Sequence, residues 1–153
     1  MDHLPSWLLS QTAAHAQRLV IEGFAAAGAR GYHYRLLDSL LTAGPASQAT
    51  LGRRTGIHLS DMVAALNELE AGGYVARSPD PQDRRRNVIT ITDAGRARAA
   101  ELSDRVAEIQ DELLAPLSAT EREQLTALLQ KLLRAGKGPL GSPSGPDRQP
   151  GRR

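Results

Sequence analysis

Three consecutive arginines, Arg84, Arg85 and Arg86, close the polar segment Pro79-Asp80-Pro81-Gln82-Asp83-Arg84-Arg85-Arg86. A guanidinium is permanently charged, weakly hydrated and forked, so it suits bidentate contact with phosphate oxygens or insertion into a narrow, electronegative groove. Arg77 precedes the cluster, and Arg96 and Arg98 follow it. The acids concentrate later, at Glu101, Asp104, Glu108, Asp111, Glu112, Glu121 and Glu123. Net charge is only +2, so the distribution carries the information: one basic region on a scaffold that is otherwise acidic or mixed. That asymmetry points to a local nucleic-acid contact, with a solvated arginine run as the plain alternative.

Other chemistries find little to work with. The chain has no cysteine, which removes disulfides, thiolate catalysis, thiol redox sensing and cysteine-type zinc sites. His3, His15, His33 and His58 are spaced unlike any histidine ligand motif, so no metal is expected. No paired carboxylates, histidine-based triad or glycine-rich phosphate loop stands at catalytic spacing, and neither an enzyme nor a cofactor is expected. At 153 residues, 41% hydrophobic but only 3% aromatic, the chain should form one domain with a core of Leu, Val, Ile and Ala. No run approaches the roughly 20 apolar residues of a membrane span, and the N-terminus lacks a signal-peptide pattern. A cytoplasmic protein without a membrane partner is the expectation.

The elements that must position the arginines follow from periodicity. Ser6 to about Ala27 reads as a first helix, with Leu8, Thr12, His15 and Leu19 on one face, and Gly28 and Gly31 interrupt it. A second helix runs from about Tyr32 to Thr42, carries Leu36, Leu37, Leu40 and Leu41, and ends at Gly44-Pro45. A third spans Ser47 to Thr55 and stops at Gly56. Ser60 is expected to cap a fourth helix that ends at Gly72-Gly73, with Met62, Val63, Leu66 and Leu69 inward. The period then switches to two: Tyr74 to Ser78 and Asn87 to Ile91 read as strands, with the arginine segment as the exposed tip between them. Thr92 caps a fifth helix reaching about Leu114 with Ala94, Ala97, Leu102, Val106, Ile109 and Leu113 along it. Pro116 breaks that helix. Ser118 and Glu121 form a capping box for the last helix, which carries Leu125, Leu128, Leu129, Leu132 and Leu133. From Gly136 the composition turns to Gly, Pro, Ser and Arg, so residues 136–153 are expected to be a disordered tail.

This order is mainly α with a small β-hairpin wing (α+β): a winged helix-turn-helix plus a helical dimerisation domain. The fourth helix fits a major groove of about 12 Å, and the wing reaches the flanking backbone or minor groove. Leu69-Glu70-Ala71-Gly72-Gly73-Tyr74-Val75-Ala76-Arg77, then Asp83-Arg84-Arg85-Arg86, then Ile91-Thr92-Asp93-Ala94-Gly95 resembles the MarR family of bacterial regulators over about residues 6–135. The resemblance implies a homodimer held by residues 1–30 and 96–135, and a DNA-binding domain at 31–95. It implies double-stranded DNA as the partner, most simply a palindromic operator, and a transcription regulator acting as a repressor. In the family's wing pair the aspartate, here Asp83, orients the arginine, here Arg85, which enters the minor groove. Arg84 and Arg86 then meet phosphates.

Arg53 and Arg54, just before the turn, are candidate phosphate contacts. His58, Ser60, Asp61, Ala64, Ala65 and Glu68 are read as the DNA-facing surface of the fourth helix. That surface is sparse: family members often carry Thr and Arg where this chain has Val63 and Ala64. Small residues allow close approach and contact with a thymine methyl. Asp61 could accept from a cytosine amino group or simply cap the helix. Arg77 either contacts DNA or pairs with Asp83. The resemblance also implies an effector site, for which Trp7, His15, Arg18 and Tyr34, with Tyr32 and Arg35 nearby, are the candidates. An aromatic plus a cation suits a small aromatic or anionic effector, although His15 and Trp7 could equally serve packing or dimer contacts. The rival reading is a DNA-architectural or protein-docking winged domain with little sequence preference and no effector.

Overall fold

The computed structural model describes residues 3–136. Gly136, where the tail is expected to begin, still belongs to the last helix; the rest of the expected tail, residues 137–153 with Arg148, Arg152 and Arg153, lies outside the described residues. The elements are α1 (Pro5–Ala26), α2 (Gly31–Ala43), β1 (Ala46–Ser47), α3 (Gln48–Thr55), α4 (Leu59–Ala71), β2 (Val75–Pro79), β3 (Asn87–Ile91), α5 (Asp93–Leu113) and α6 (Ala119–Gly136). They fall into two units, residues 3–113 and residues 114–136. The fold is mostly helical with a small antiparallel sheet, as the periodicity implies.

In the first unit, Leu36 and Leu37 of α2, Leu51 of α3, Met62 and Leu66 of α4, Ile89 of β3 and Leu102 of α5 are almost wholly buried. Phe24, Ala99 and Ile109 belong to the same cluster, so α1 and α5 pack into one core with the helix-turn-helix and the sheet. The core is aliphatic, as the low aromatic content requires. His15, read as part of a helical seam, is instead exposed.

The sheet has one strand more than a hairpin. Its order is β1-β3-β2, with Ala46 opposite Ile89 and Ser47 opposite Val88, and Val75 to Pro79 paired with Ile91 to Asn87. A two-residue strand has no periodicity to read. Its effect is to clamp the wing to the start of α3, where the Ser47 hydroxyl accepts from the Thr50 amide at 3.2 Å. Gly56, at φ 67°, makes the left-handed turn from α3 into α4, which glycine adopts without steric cost. α4 begins two residues earlier than expected. His58, not Ser60, is its N-cap, with no side-chain capping bond, and Ser60 lies within the first turn.

The Thr92-x-x-Gly95 segment locks the wing to α5. The Thr92 hydroxyl donates to the Gly73 carbonyl at 2.6 Å and accepts from the Gly95 amide at 3.0 Å, while the Thr92 amide donates to Tyr74 O at 3.1 Å. A Cβ at Gly95 would stand 2.0 Å from Tyr74 O and 2.7 Å from Ile91 Cγ1. Only glycine permits that approach.

In the second unit the expected capping box is present. The Ser118 amide donates to Glu121 Oε2 at 2.8 Å, and the Glu121 amide donates to Ser118 Oγ at 3.2 Å. Leu128, Leu129, Leu132 and Leu133 are exposed along α6.

Candidate nucleic-acid interface

α4 buries Met62, Ala65, Leu66 and Leu69. With 3.6 residues per turn, Val63 lies about 100° from Met62, and it is 39% exposed rather than inward. Ala65 is fully buried and cannot face DNA. The outward face is Ser60, Val63, Ala64 and Asn67, all exposed. Asp61 is partly buried in the first turn, where a carboxylate complements the helix dipole.

Glu68 also leaves the expected DNA-facing set. Its carboxylate accepts from Arg30 Nη2 at 2.5 Å and is hydrogen-bonded to His33 Nε2 at 2.6 Å. Because His33 Nδ1 accepts from the Arg30 amide at 3.2 Å, the network assigns the ring proton to Nε2, which donates to Glu68. Arg30, and after it His33, hold the Glu68 carboxyl below its ordinary pKa. The pair ties α4 to the start of α2.

The wing tip is a built turn. The Asp80 amide donates to Arg86 O at 2.8 Å and the Arg86 amide to Asp83 O at 3.0 Å, while the Gln82 amide donates to Asp80 Oδ1 at 2.9 Å. Asp83 Oδ1 accepts from the backbone amide of Arg85 at 3.1 Å, and its other oxygen stands 3.7 Å from Arg86 Nε. Asp83 thus shapes the chain that carries Arg85 and pairs with Arg86; it does not hold the Arg85 guanidinium. Arg84 and Arg85 are exposed, with no ion pair among the described residues. Arg77 pairs with neither acid of the wing tip: it donates to Asn67 Oδ1 at 3.0 Å and lies 3.7 Å from Glu70.

Between the start of α3, the outer side of α4 and the wing lies a cavity of about 540 Å³. Ser47, Gln48, Ala49, Thr50, Arg53, Val63, Asn67, Arg77, Arg86, Asn87 and Ile89 line it. Arg53 is held there by a bond to Thr50 Oγ1 at 3.0 Å. Arg54 turns away, donating to the Gly44 carbonyl at 3.1 Å, yet remains exposed. His58 is exposed at the start of α4. Sequence reasoning missed Gln48, Thr50, Val63 and Asn67. For Val63 and Asn67 the signal existed: a wheel centred on Met62, Leu66 and Leu69 puts both on the outer flank.

A second cavity, of about 390 Å³, is lined by Gln17, Val20, Ile21, Phe24, Ala25, Ala29, Arg30, Gly31, Tyr32 and Arg35. Arg35 sits over the Tyr32 ring, 5.3 Å from its centroid, and donates to Thr55 O at 3.1 Å. None of the four candidate ligand residues lines it. Trp7, His15 and Arg18 are exposed on α1, and Tyr34 packs near Phe24 with ring centroids 6.1 Å apart. Among the described residues, no three His, Asp or Glu side chains form a metal cluster, and no helix is long and apolar enough to cross a membrane.

A tight α3-turn-α4 unit followed by a hairpin that carries cations defines a winged helix-turn-helix protein. A model of the MarR family matches residues 28–86. Over 97 residues the chain is 31% identical to the HTH-type transcriptional repressor NicR of Pseudomonas putida, covering 63% of this chain and 61% of that one. The crystal structure of a probable transcriptional regulator from Pseudomonas aeruginosa is 32% identical with a TM-score of 0.74, covering 86% of this chain and 98% of that one. A mutant MarR from E. coli complexed with operator DNA is 25% identical with a TM-score of 0.71, covering 84% of this chain and 92% of that one. The chain spans 61% of the length of the first curated relatives it matches. It belongs to the MarR family.

Proposed function

We propose that this protein is a cytoplasmic, homodimeric transcription repressor that binds a palindromic operator in duplex DNA. α4 enters the major groove, Arg85 enters the flanking minor groove, and Arg53, Arg84 and Arg86 neutralise phosphates. The observation that carries the reading is the cavity between α3, α4 and the wing, which sets Arg53, Arg77 and Arg86 beside the outward face of the helix. A winged domain without such a face has no reason to gather three cations there. A relative named as a repressor and a similar structure bound to operator DNA support it.

Dimerisation is assigned to residues 1–30 and 96–135, with residues 31–95 as the DNA-binding part. Leu4 just before α1, Trp7, Leu8 and Leu9 on it and, in the second unit, Leu128, Leu129, Leu132 and Leu133 on α6 are exposed, and a second copy would cover such apolar faces. A small aromatic or anionic effector fits the cavity that Phe24, Arg30, Tyr32 and Arg35 line. Its anion would compete with Glu68 for Arg30 and loosen α4, relieving repression. The test is competition: random duplex should displace the protein from its operator only at an excess of roughly 10³-fold or more. Equal competition would favour the architectural reading, which the short side chains of the α4 face otherwise support.

A further inference from the structure

We propose that Val63, aided by Leu59, is a specificity-determining residue that reads thymine through its 5-methyl group. The inference rests on the operator-binding reading and adds the base that α4 selects. Val63 and Leu59 are 39% and 70% exposed on α4, and at a spacing of four residues they lie one above the other on a single helix face, so together they form an apolar strip separate from the four residues that the helix buries. Ser60 and Ala64 beside them are short, so no side chain there can reach a base edge with a forked pair of hydrogen bonds. Asn67 already accepts from Arg77 through its amide oxygen at 3.0 Å, a bond that orients the side chain toward β2 and competes with the bidentate contact an asparagine makes with adenine.

What surrounds Val63 names the occupant. It forms part of a cavity wall together with Arg53, Arg77 and Arg86, so one recess offers an apolar patch and cations at once. A protein partner with an apolar anchor would be met by three charges that need desolvation, whereas a DNA strand brings its own phosphates to them. Thymine is the one base whose major-groove edge carries an apolar group, and that methyl projects toward the side of its own backbone. A nucleotide whose phosphate rests on the arginines therefore turns a methyl, if it has one, toward Val63.

The test uses the full chain and duplexes selected from a random pool by the protein itself. Each thymine of the selected site is replaced singly by deoxyuridine, which keeps pairing and removes only the methyl. Burying one methyl is worth about a fourfold change in affinity, so at least one thymine per half-site should show a loss of about that size. The loss should vanish in Val63→Ala, or shrink stepwise with Leu59→Ala, and persist in Arg84→Ala. Both aliphatic positions are exposed, so folding is not at stake. A selected site insensitive to every deoxyuridine replacement overturns the inference alone. So does a penalty unchanged in both aliphatic variants. A pool that yields no preferred sequence overturns the inference together with the operator reading.

Discussion

Gly95→Ala should unseat the wing from α5, and the structure sets the size of the effect. The added Cβ lies 2.0 Å from the backbone oxygen of Tyr74, at least about 1 Å closer than carbon and oxygen tolerate, and backbone cannot rotate out of the way. That oxygen already accepts from the Thr92 amide at 3.1 Å, so any retreat stretches the bonds by which Thr92 holds Gly73 and Gly95. Overpacking of this kind costs about 1–3 kcal/mol, and a weakened hydrogen bond adds about 0.5–1.5 kcal/mol. Against this, alanine is favoured over glycine in a helix by about 0.5–1 kcal/mol. The net loss of about 1–3 kcal/mol should lower Tm by roughly 3–10 °C in a chain of this size. Gly52→Ala is the matched control: a Cβ there meets nothing within 4 Å inside α3, so it should be neutral or stabilising by up to about 1 kcal/mol. Calorimetric melts at one fixed protein concentration measure both. A Gly95→Ala protein as stable as the parent, or a Gly52→Ala protein destabilised equally, would refute the close-approach argument.

Removing Arg84 should weaken operator and random duplex alike and flatten the slope of log K against log salt by roughly 0.9 per half-site. Arg85→Ala should instead cost about 1–3 kcal/mol selectively on operators with A·T-rich flanks; salt titrations on both duplexes separate the two. Glu68→Gln should destabilise by no more than about 1 kcal/mol, because the carboxylate is 47% exposed and its pairs are screened. Since Arg30 and then His33 lower the folded-state pKa of Glu68, its stabilisation is present above the ordinary carboxylate pKa and lost as pH falls through the lowered one. Urea melts should therefore separate the two proteins at neutral pH and converge in acid. Sedimentation at micromolar concentration should give twice the chain mass, and Leu132→Glu, at a position 59% exposed on α6, should reduce it toward the monomer.

Much of this architecture is legible in the sequence because its signals are local. The capping box of Ser118 and Glu121, the glycine stop at Gly56 and the β-branched run ending at Ile91 all act within one turn or one strand. The Thr92-x-x-Gly95 spacing is legible as a motif, but its reason is not, since Tyr74 approaches from a different segment. The two-residue strand at Ala46 and Ser47 is invisible for the same reason: only its pairing with β3 makes it a strand. The site shows the same division. Arg84, Arg85 and Arg86 announce an exposed tip by composition. Ala65 reads as DNA-facing by its small size alone, but its angle on the helix sets it beside Met62 and Leu69 in the core. Glu68 was misplaced because its partners, Arg30 and His33, lie more than thirty positions upstream, and an acid on a helix surface carries no sign of which neighbour will claim it. Val63 shows how an aliphatic residue at a helix flank reads as core until its angle from Met62 is considered.

Cleavage protection on a selected duplex tests the central claim most directly. A dimer that seats one α4 in each of two major grooves should protect two patches with centres about 34–36 Å apart, one turn of the duplex, related by a dyad in the sequence. Arg85→Ala should then uncover the outer flanks while leaving the two inner patches. A single patch, or protection that does not change between selected and random duplex, would contradict the account.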